Sequence, residues 1–187
     1  MKISKKTILN IVMMLFILSF FVTPLGYQGK LLLNNLFSRT PEFVSKPNRK
    51  VIENYDWRLK DEDWNFFSFE RSKGRVAIIV FWASWKLPAC EAEMKSIEKL
   101  YRDYKGKVDF YLISNEERPP VELFVEEHGI TAPITYLIIG DKSPINIPKP
   151  CASYILDKNG GIAAYTEGVS DWNTSKTRTF LDTLIAD

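Results

Sequence analysis

The sequence predicts an α/β fold, a central mixed sheet flanked by helices, carried behind an apolar N-terminal segment. Three observations lead there. The unbroken β-branched and aromatic run "RVAIIVFWA" at 75–83 is followed, after one short loop, by the helically patterned "CEAEMKSIEKLYRDYKG" at 90–106. A second strand, a helix and a third strand come next, over 108–139. Finally "DKNGG" joins two apolar runs at 157–161, a hairpin signal because asparagine and glycine tolerate the positive φ of tight turns.

The N-terminal segment comes first in the chain. Lys2, Lys5 and Lys6 precede residues 8–26, which hold no charged side chain and only Asn10, Ser19 and Thr23 as polar interruptions. A helix over that run reaches about 27 Å, against a hydrocarbon core of about 30 Å. Residues 1–26 therefore read as a cytoplasmic stub and signal anchor, with the lysines kept inside and the remainder exported. The rest of the chain is then extracytoplasmic, periplasmic in a Gram-negative cell. No small-x-small cleavage site and no lipid-bearing cysteine follows the run. A cleaved signal peptide with an unusual site is the alternative, and it leads to the same compartment, where disulfides are permitted. Residues 27–54 read as a juxtamembrane tether, either an irregular linker or one with an interfacial helix over 30–37 that lays Leu31, Leu32, Leu33, Leu36 and Phe37 against lipid.

From Tyr55 to the C-terminus, residues 55–187, the pattern is globular. "YDWRLKDEDWNFFSFE" alternates well enough for one or two short strands around a turn at 60–63. After the strand at 75–83, Met94, Ile97, Leu100, Tyr101 and Tyr104 recur at helical intervals up to Gly106. "VDFYLIS" at 108–114 is a second buried strand, and "PPVELFVEEHG" opens on proline and closes on Gly129, as a helix does. Parallel pairing follows from that order, because the crossover is right-handed. "APITYLII", a proline-interrupted loop and the hairpin complete the sheet. The last helix has a cap at Asn173 and apolar Phe180, Leu181, Leu184 and Ile185 on one face. Such an order, β-α-β-α, then a hairpin and a final α, is the thioredoxin plan.

Composition removes several classes of function. Lys+Arg of 25 against Asp+Glu of 23 leaves no basic footprint for nucleic acid. Two cysteines and one histidine, in no paired ligand spacing, give no structural metal site, and no cofactor motif is present.

"FWASW" before a proline-containing loop, "AEM" in the following helix, the "YILDKNGGI" hairpin and "DWN" before the last helix together resemble the membrane-tethered thioredoxin-like thiol-disulfide oxidoreductases of the TlpA and ResA kind, in the redoxin superfamily. The likeness runs from about Tyr55 to the end. It implies a Trp-Cys-x-x-Cys motif at a helix start, where the macrodipole stabilises a thiolate. Here Trp85 is followed by Lys86, Leu87, Pro88, Ala89 and Cys90, so the loop is one residue longer. The attacking cysteine is absent, Lys86 or Leu87 stands in its place, and Cys90 matches the resolving one. The resemblance also implies a cis-proline before the hairpin strand. That position falls on Cys151, so either Lys149-Pro150 is the cis bond, which we favour because cis is a proline property, or Cys151 has replaced it. In the thioredoxin plan the helix start and the proline loop meet. The expectation is therefore a Cys90–Cys151 disulfide across the site, with Trp85, Lys86, Leu87, Pro88 and Pro150 lining it.

Three functions compete. One is thiol-disulfide exchange by the non-adjacent pair, Cys90 shifted toward the surface as attacking thiol and Cys151 resolving, with protein thiols or disulfides as partners. Another is a redox-inactive module that holds an extended peptide of a partner protein in the same groove, its cysteines being small buried hydrophobes. A peroxidase of the peroxiredoxin kind fits worse, since the loop lacks that family's proline and threonine setting. Trp82 and Trp85 read as packing residues, Glu91 and Glu93 as surface carboxylates of a first helical turn, and His128 as a solvated helix-end residue. Lys86 either lowers a thiol pKa or points into solvent.

Overall fold

The structure, a computed structural model, describes residues 4–22, 26–29 and 41–187, with backbone alone for 20–22. Helix α1, Lys5–Val22, exposes its apolar side chains from Ile8 to Leu18. Among the described residues no helix is long and apolar enough to cross a membrane. The expected span runs on through 23–25, and the expected interfacial helix covers 30–37. Both stretches lie outside the described residues.

Among the described residues eight strands form one sheet. They are β1 (Glu42–Phe43), β2 (Arg58–Lys60), β3 (Phe66–Ser68), β4 (Ala77–Phe81), β5 (Asp109–Ser114), β6 (Ile134–Leu137), β7 (Ala152–Leu156) and β8 (Ile162–Glu167), in the order β1-β8-β7-β4-β5-β6-β2-β3. Helices α2 (Ala89–Tyr104) and α3 (Arg118–His128) connect β4 to β5 and β5 to β6, both parallel pairs as expected. These crossovers step across the sheet in one direction, so right-handed connections put both helices on the same face. Helix α4 (Ser175–Ala186) joins them there. Ile78 and Val80 of β4 meet Met94, Ile97 and Leu100 of α2, Val121 and Phe124 of α3, and Leu181 and Leu184 of α4 in one core. On the opposite face Ile79, Phe81, Tyr111 and Ile113 pack against Trp57, Leu59, Phe69 and Ile145, which belong to short strands, a 3-10 turn and loops.

Two expectations change at the element level. Residues 41–54, read as tether, are part of the domain. Strand β1 pairs with β8, Val44 N–H donates to Ala163 O, Ile52 N–H to Gly160 O and Ile162 N–H to Lys50 O. Arg49 reaches Asp157 at 2.9 Å with both side chains largely buried. The segment escapes pattern reading because its partners lie in the hairpin more than a hundred residues on and its own apolar residues follow no period. The cap of α4 is Thr174, whose hydroxyl accepts from Thr177 N–H, and not Asn173. Asn173 Oδ1 instead accepts twice from Arg178.

Asp157 organises the predicted hairpin by accepting from Asn159 N–H and Gly161 N–H. Gly160, at φ +77°, also admits the Tyr55 hydroxyl, which would lie 2.5 Å from any Cβ placed there. Only glycine satisfies both the turn and that approach.

Candidate active site at the start of α2

The two sulfurs are bonded. Cys90, the second residue of α2, and Cys151, just before β7, form a disulfide with Cα atoms 5.3 Å apart, inside the range that bridging requires. They meet because β4 and β7 are hydrogen-bonded neighbours, with Phe81 opposite Ala152. The loop leaving β4 and the loop entering β7 therefore converge at one end of the sheet.

Cys151 has taken the place in which the family's proline was expected. Its φ is +64°, which proline cannot adopt, and its N–H donates to Phe81 O at 2.8 Å. Its carbonyl accepts from Gly168 N–H at 2.7 Å. The favoured cis bond at Lys149-Pro150 is overturned: among the described residues the cis peptide is Leu87-Pro88, in the lengthened loop itself. Pro150 still lines the site through its carbonyl, which accepts from Lys86 Nζ at 2.8 Å. Lys86 thus neither points into open solvent nor faces a free thiol. It ties the loop before α2 to the loop before β7.

Both sulfur-bearing residues are enclosed, Cys90 at 0% and Cys151 at 2% exposure. The extra loop residue therefore does not bring Cys90 to the surface, because the first turn of α2 is pressed onto β4 and β7. Around them Trp85 and Leu87 are open, at 68% and 44%. Trp82 is buried against Phe124, with ring centroids 4.9 Å apart. The loop is anchored at its start by Glu116, whose carboxylate accepts from Ser84 N–H and Ser84 Oγ, each at 2.7 Å.

The two glutamates expected on the surface are buried. Glu93 Oε1 accepts from Ser153 Oγ at 2.7 Å and from Trp172 Nε1–H at 3.0 Å, whereas Oε2 has no hydrogen-bond partner among the described residues. Burial pushes its carboxyl up to about 7, against the opposing pull of Ser153, Trp172 and the Lys86 charge. Glu93 lies three residues after Cys90, and its partner Ser153 two after Cys151, so this carboxyl couples the backbones that hold the disulfide. A signal for it was present: positions 93, 97, 100 and 104 share one helical face, and the other three are core residues. Glu91, next to Cys90, takes hydrogen bonds from Tyr27 Oη and Lys95 Nζ, and His128 Nε2 lies 3.5 Å away. Burial pushes its carboxyl up, but Lys95 and Tyr27 outweigh that and hold it below the usual range. His128, read as solvated, is largely buried instead, stacked on Phe124 with Nδ1 2.8 Å from Phe124 O.

Chemically the site offers a disulfide at a helix N-terminus, where the macrodipole favours a thiolate once the bond opens. Among the described residues no group of histidine, cysteine, aspartate and glutamate could hold a metal ion.

Known proteins resemble this chain in sequence and in fold. The thioredoxin-like protein YneN of Bacillus subtilis is 31% identical over 112 residues, 57% of this chain and 65% of its own length. The thiol-disulfide oxidoreductase ResA of Oceanobacillus iheyensis is 30% identical over 120 residues, 60% of this chain and 62% of that protein. The match thus spans just under two thirds of each relative. Among solved structures, a DsbF homologue from Corynebacterium diphtheriae superposes with a TM-score of 0.60 at 18% identity, covering 77% of this chain and 94% of that one. A putative thiol:disulfide interchange protein DsbE from Chlorobium tepidum gives 0.60 at 15% identity, covering 74% and 98%. Both share the thioredoxin-like fold. Residues 49–144, half of the chain, match the AhpC/TSA family, a stretch that holds Cys90 and stops short of Cys151. On that match, and on a fold that agrees with it, the chain belongs to the AhpC/TSA family.

Proposed function

We propose that this protein carries out thiol-disulfide exchange on protein thiols or disulfides, using Cys90 and Cys151 as a non-adjacent redox pair, from a domain anchored outside the cytoplasmic membrane by its N-terminal helix. The observation that carries this reading is the disulfide itself, formed between the two segments that meet at the start of α2. A substrate thiolate attacks one sulfur to give a mixed disulfide and a Cys thiolate. A second substrate thiolate then resolves it, so the substrate leaves oxidised and the pair is left as two thiols after proton uptake. The backbone of Cys151 is pinned on both sides by Phe81 and Gly168. Displacing the loop that carries the exposed Trp85 and Leu87 is therefore the route by which a substrate reaches the bond. Anchoring is supported by the lysines before the uncharged run at 8–26. An oxidising compartment is supported by the disulfide.

The test is oxidation of a reduced dithiol peptide by the disulfide form, and reduction of insulin by the dithiol form with dithiothreitol as electron donor, each compared with Cys90→Ala. Turnover that vanishes in the variant supports the reading; equal and negligible turnover in both removes it.

The enclosure of both sulfurs favours a second reading, in which the bond is a permanent staple and the surface formed by Trp85, Leu87, Pro88 and Pro150 holds an extended peptide of a partner protein. Replacing both cysteines by serine separates the two readings. Peptide binding survives that change under the second reading, and exchange does not survive it under the first.

A further inference from the structure

On the sheet face opposite the helices lies a cavity of about 630 Å³, within the size range of ligand sites. It has no part in the disulfide chemistry. Its floor is a row set by strand register, with Glu42 of β1 opposite Tyr165 of β8, and Tyr165 opposite Tyr154 of β7. The two tyrosine rings are stacked, centroids 6.5 Å apart and planes 20° from parallel. Phe81 packs against Tyr154 with ring planes perpendicular and centroids 6.2 Å apart. Glu167 continues the acidic lining two residues beyond Tyr165 on the same face. Lys50 is the one cation among the lining residues, facing two carboxylates.

The electrostatics of the cavity are recorded on the tyrosines. The Tyr165 phenol is held above its ordinary value by its hydrogen bond to Glu42 first, with Glu167 adding to it, and Tyr154 by burial and then the Glu167 charge. Two tyrosines flanked by the carboxylates of Glu42 and Glu167 form a setting that attracts an alkylammonium group, the carboxylates through charge and the aromatic rings through their quadrupoles. The cavity borders β1, the outermost strand among the described residues, along which an extended segment can lie.

We infer that this cavity binds the ammonium head of a lysine side chain from an extended segment of a protein partner, with Tyr154 and Tyr165 as the floor and Glu42 and Glu167 as the counter-charges. Neither cysteine is among the lining residues, and the site does not rest on the exchange reading.

The test uses the full chain in a maltoside detergent, with ¹³C-labelled tyrosine rings and isoleucine methyls. It is titrated with Nα-acetyl-lysine N-methylamide and with the same compound neutralised by Nε-acetylation. Saturable shifts of Tyr154, Tyr165 and Ile162 with the charged probe are expected, at a dissociation constant on the order of 1 mM. The neutral probe should shift nothing. Glu42→Gln and Glu167→Gln should each weaken binding by about tenfold, as loss of one counter-charge implies. A short extended peptide with one central lysine should bind about tenfold tighter than the single residue. No saturable shift, or equal shifts from both probes, overturns the site, and a peptide that binds no better than the amino acid overturns the polypeptide source. Should a variant fail to fold, the contrast between the two probes on the unaltered chain decides the matter.

Discussion

Replacing Glu93 by glutamine tests how the site is held together. In the folded protein its carboxyl is pushed from 4.5 up to about 7 by burial, while in the unfolded chain it returns to the ordinary value. At about 1.4 kcal/mol per pH decade, the difference is worth about 3 kcal/mol. The direction follows from proton counting. Between those two values the folded state binds more protons than the unfolded one, so this group's contribution is complete below about pH 4.5, is lost as pH rises, and is gone above about pH 7. A glutamine side chain in its place keeps an oxygen for Ser153 and Trp172 and carries no charge at any pH. Equilibrium unfolding in guanidinium chloride, with the disulfide intact, is to be run from about pH 4.5 to about pH 8. The stability of Glu93→Gln relative to the unaltered protein should rise by about 3 kcal/mol across that interval. Taking the difference cancels Glu91 and Glu98, which hydrogen bonds hold below the usual range against burial and whose stabilisation is lost at more acid pH. A difference that stays constant across the interval would refute the assignment of Glu93 as a buried, proton-binding carboxyl.

Cys90→Ser, Cys151→Ser and the double variant should each lose about 4 kcal/mol of stability, the chain-entropy value for a loop of this length, and unfolding curves should show the double variant no worse than either single one. Non-reduced peptide mapping that finds two free thiols in oxidised protein would remove the premise. Lys86→Met cuts the tie to Pro150 O, and reduction by dithiothreitol should quicken by about fivefold, equivalent to about 1 kcal/mol, followed by thiol trapping. An unchanged rate would mean that Lys86 does not hold the loop closed. Arg49→Met leaves the largely buried Asp157 without its cation and should cost about 3 kcal/mol, read from thermal melts. A neutral result would return residues 41–54 to the status of a tether.

The strand and helix succession, the hairpin at "DKNGG" and the thioredoxin plan were legible in the sequence, because each rests on a local period or a turn residue whose physics reaches only a few positions. The pairing of Cys90 with Cys151 was legible once that plan was recognised, since the plan brings two particular loops together. Other features were beyond local reading. Glu93 reads as a surface carboxylate, although its helical phase with Ile97 and Leu100 points inward, because a charged residue is buried only where partners such as Ser153 and Trp172 exist to receive it. The cis bond lies at Leu87-Pro88 and not at Lys149-Pro150, and the left-handed Cys151 fills the expected proline position. Those choices depend on how a lengthened loop closes over its neighbours. Strand β1 and the Arg49–Asp157 pair join residues separated by more than a hundred positions.

By itself, then, the amino-acid order determined the kinds of element, their succession and the two loops on which chemistry was expected. Burial, charge state and access at those loops were decided only when the sheet closed. Desolvation and hydrogen-bond partners belong to the packed surroundings of a residue and not to its neighbours along the chain.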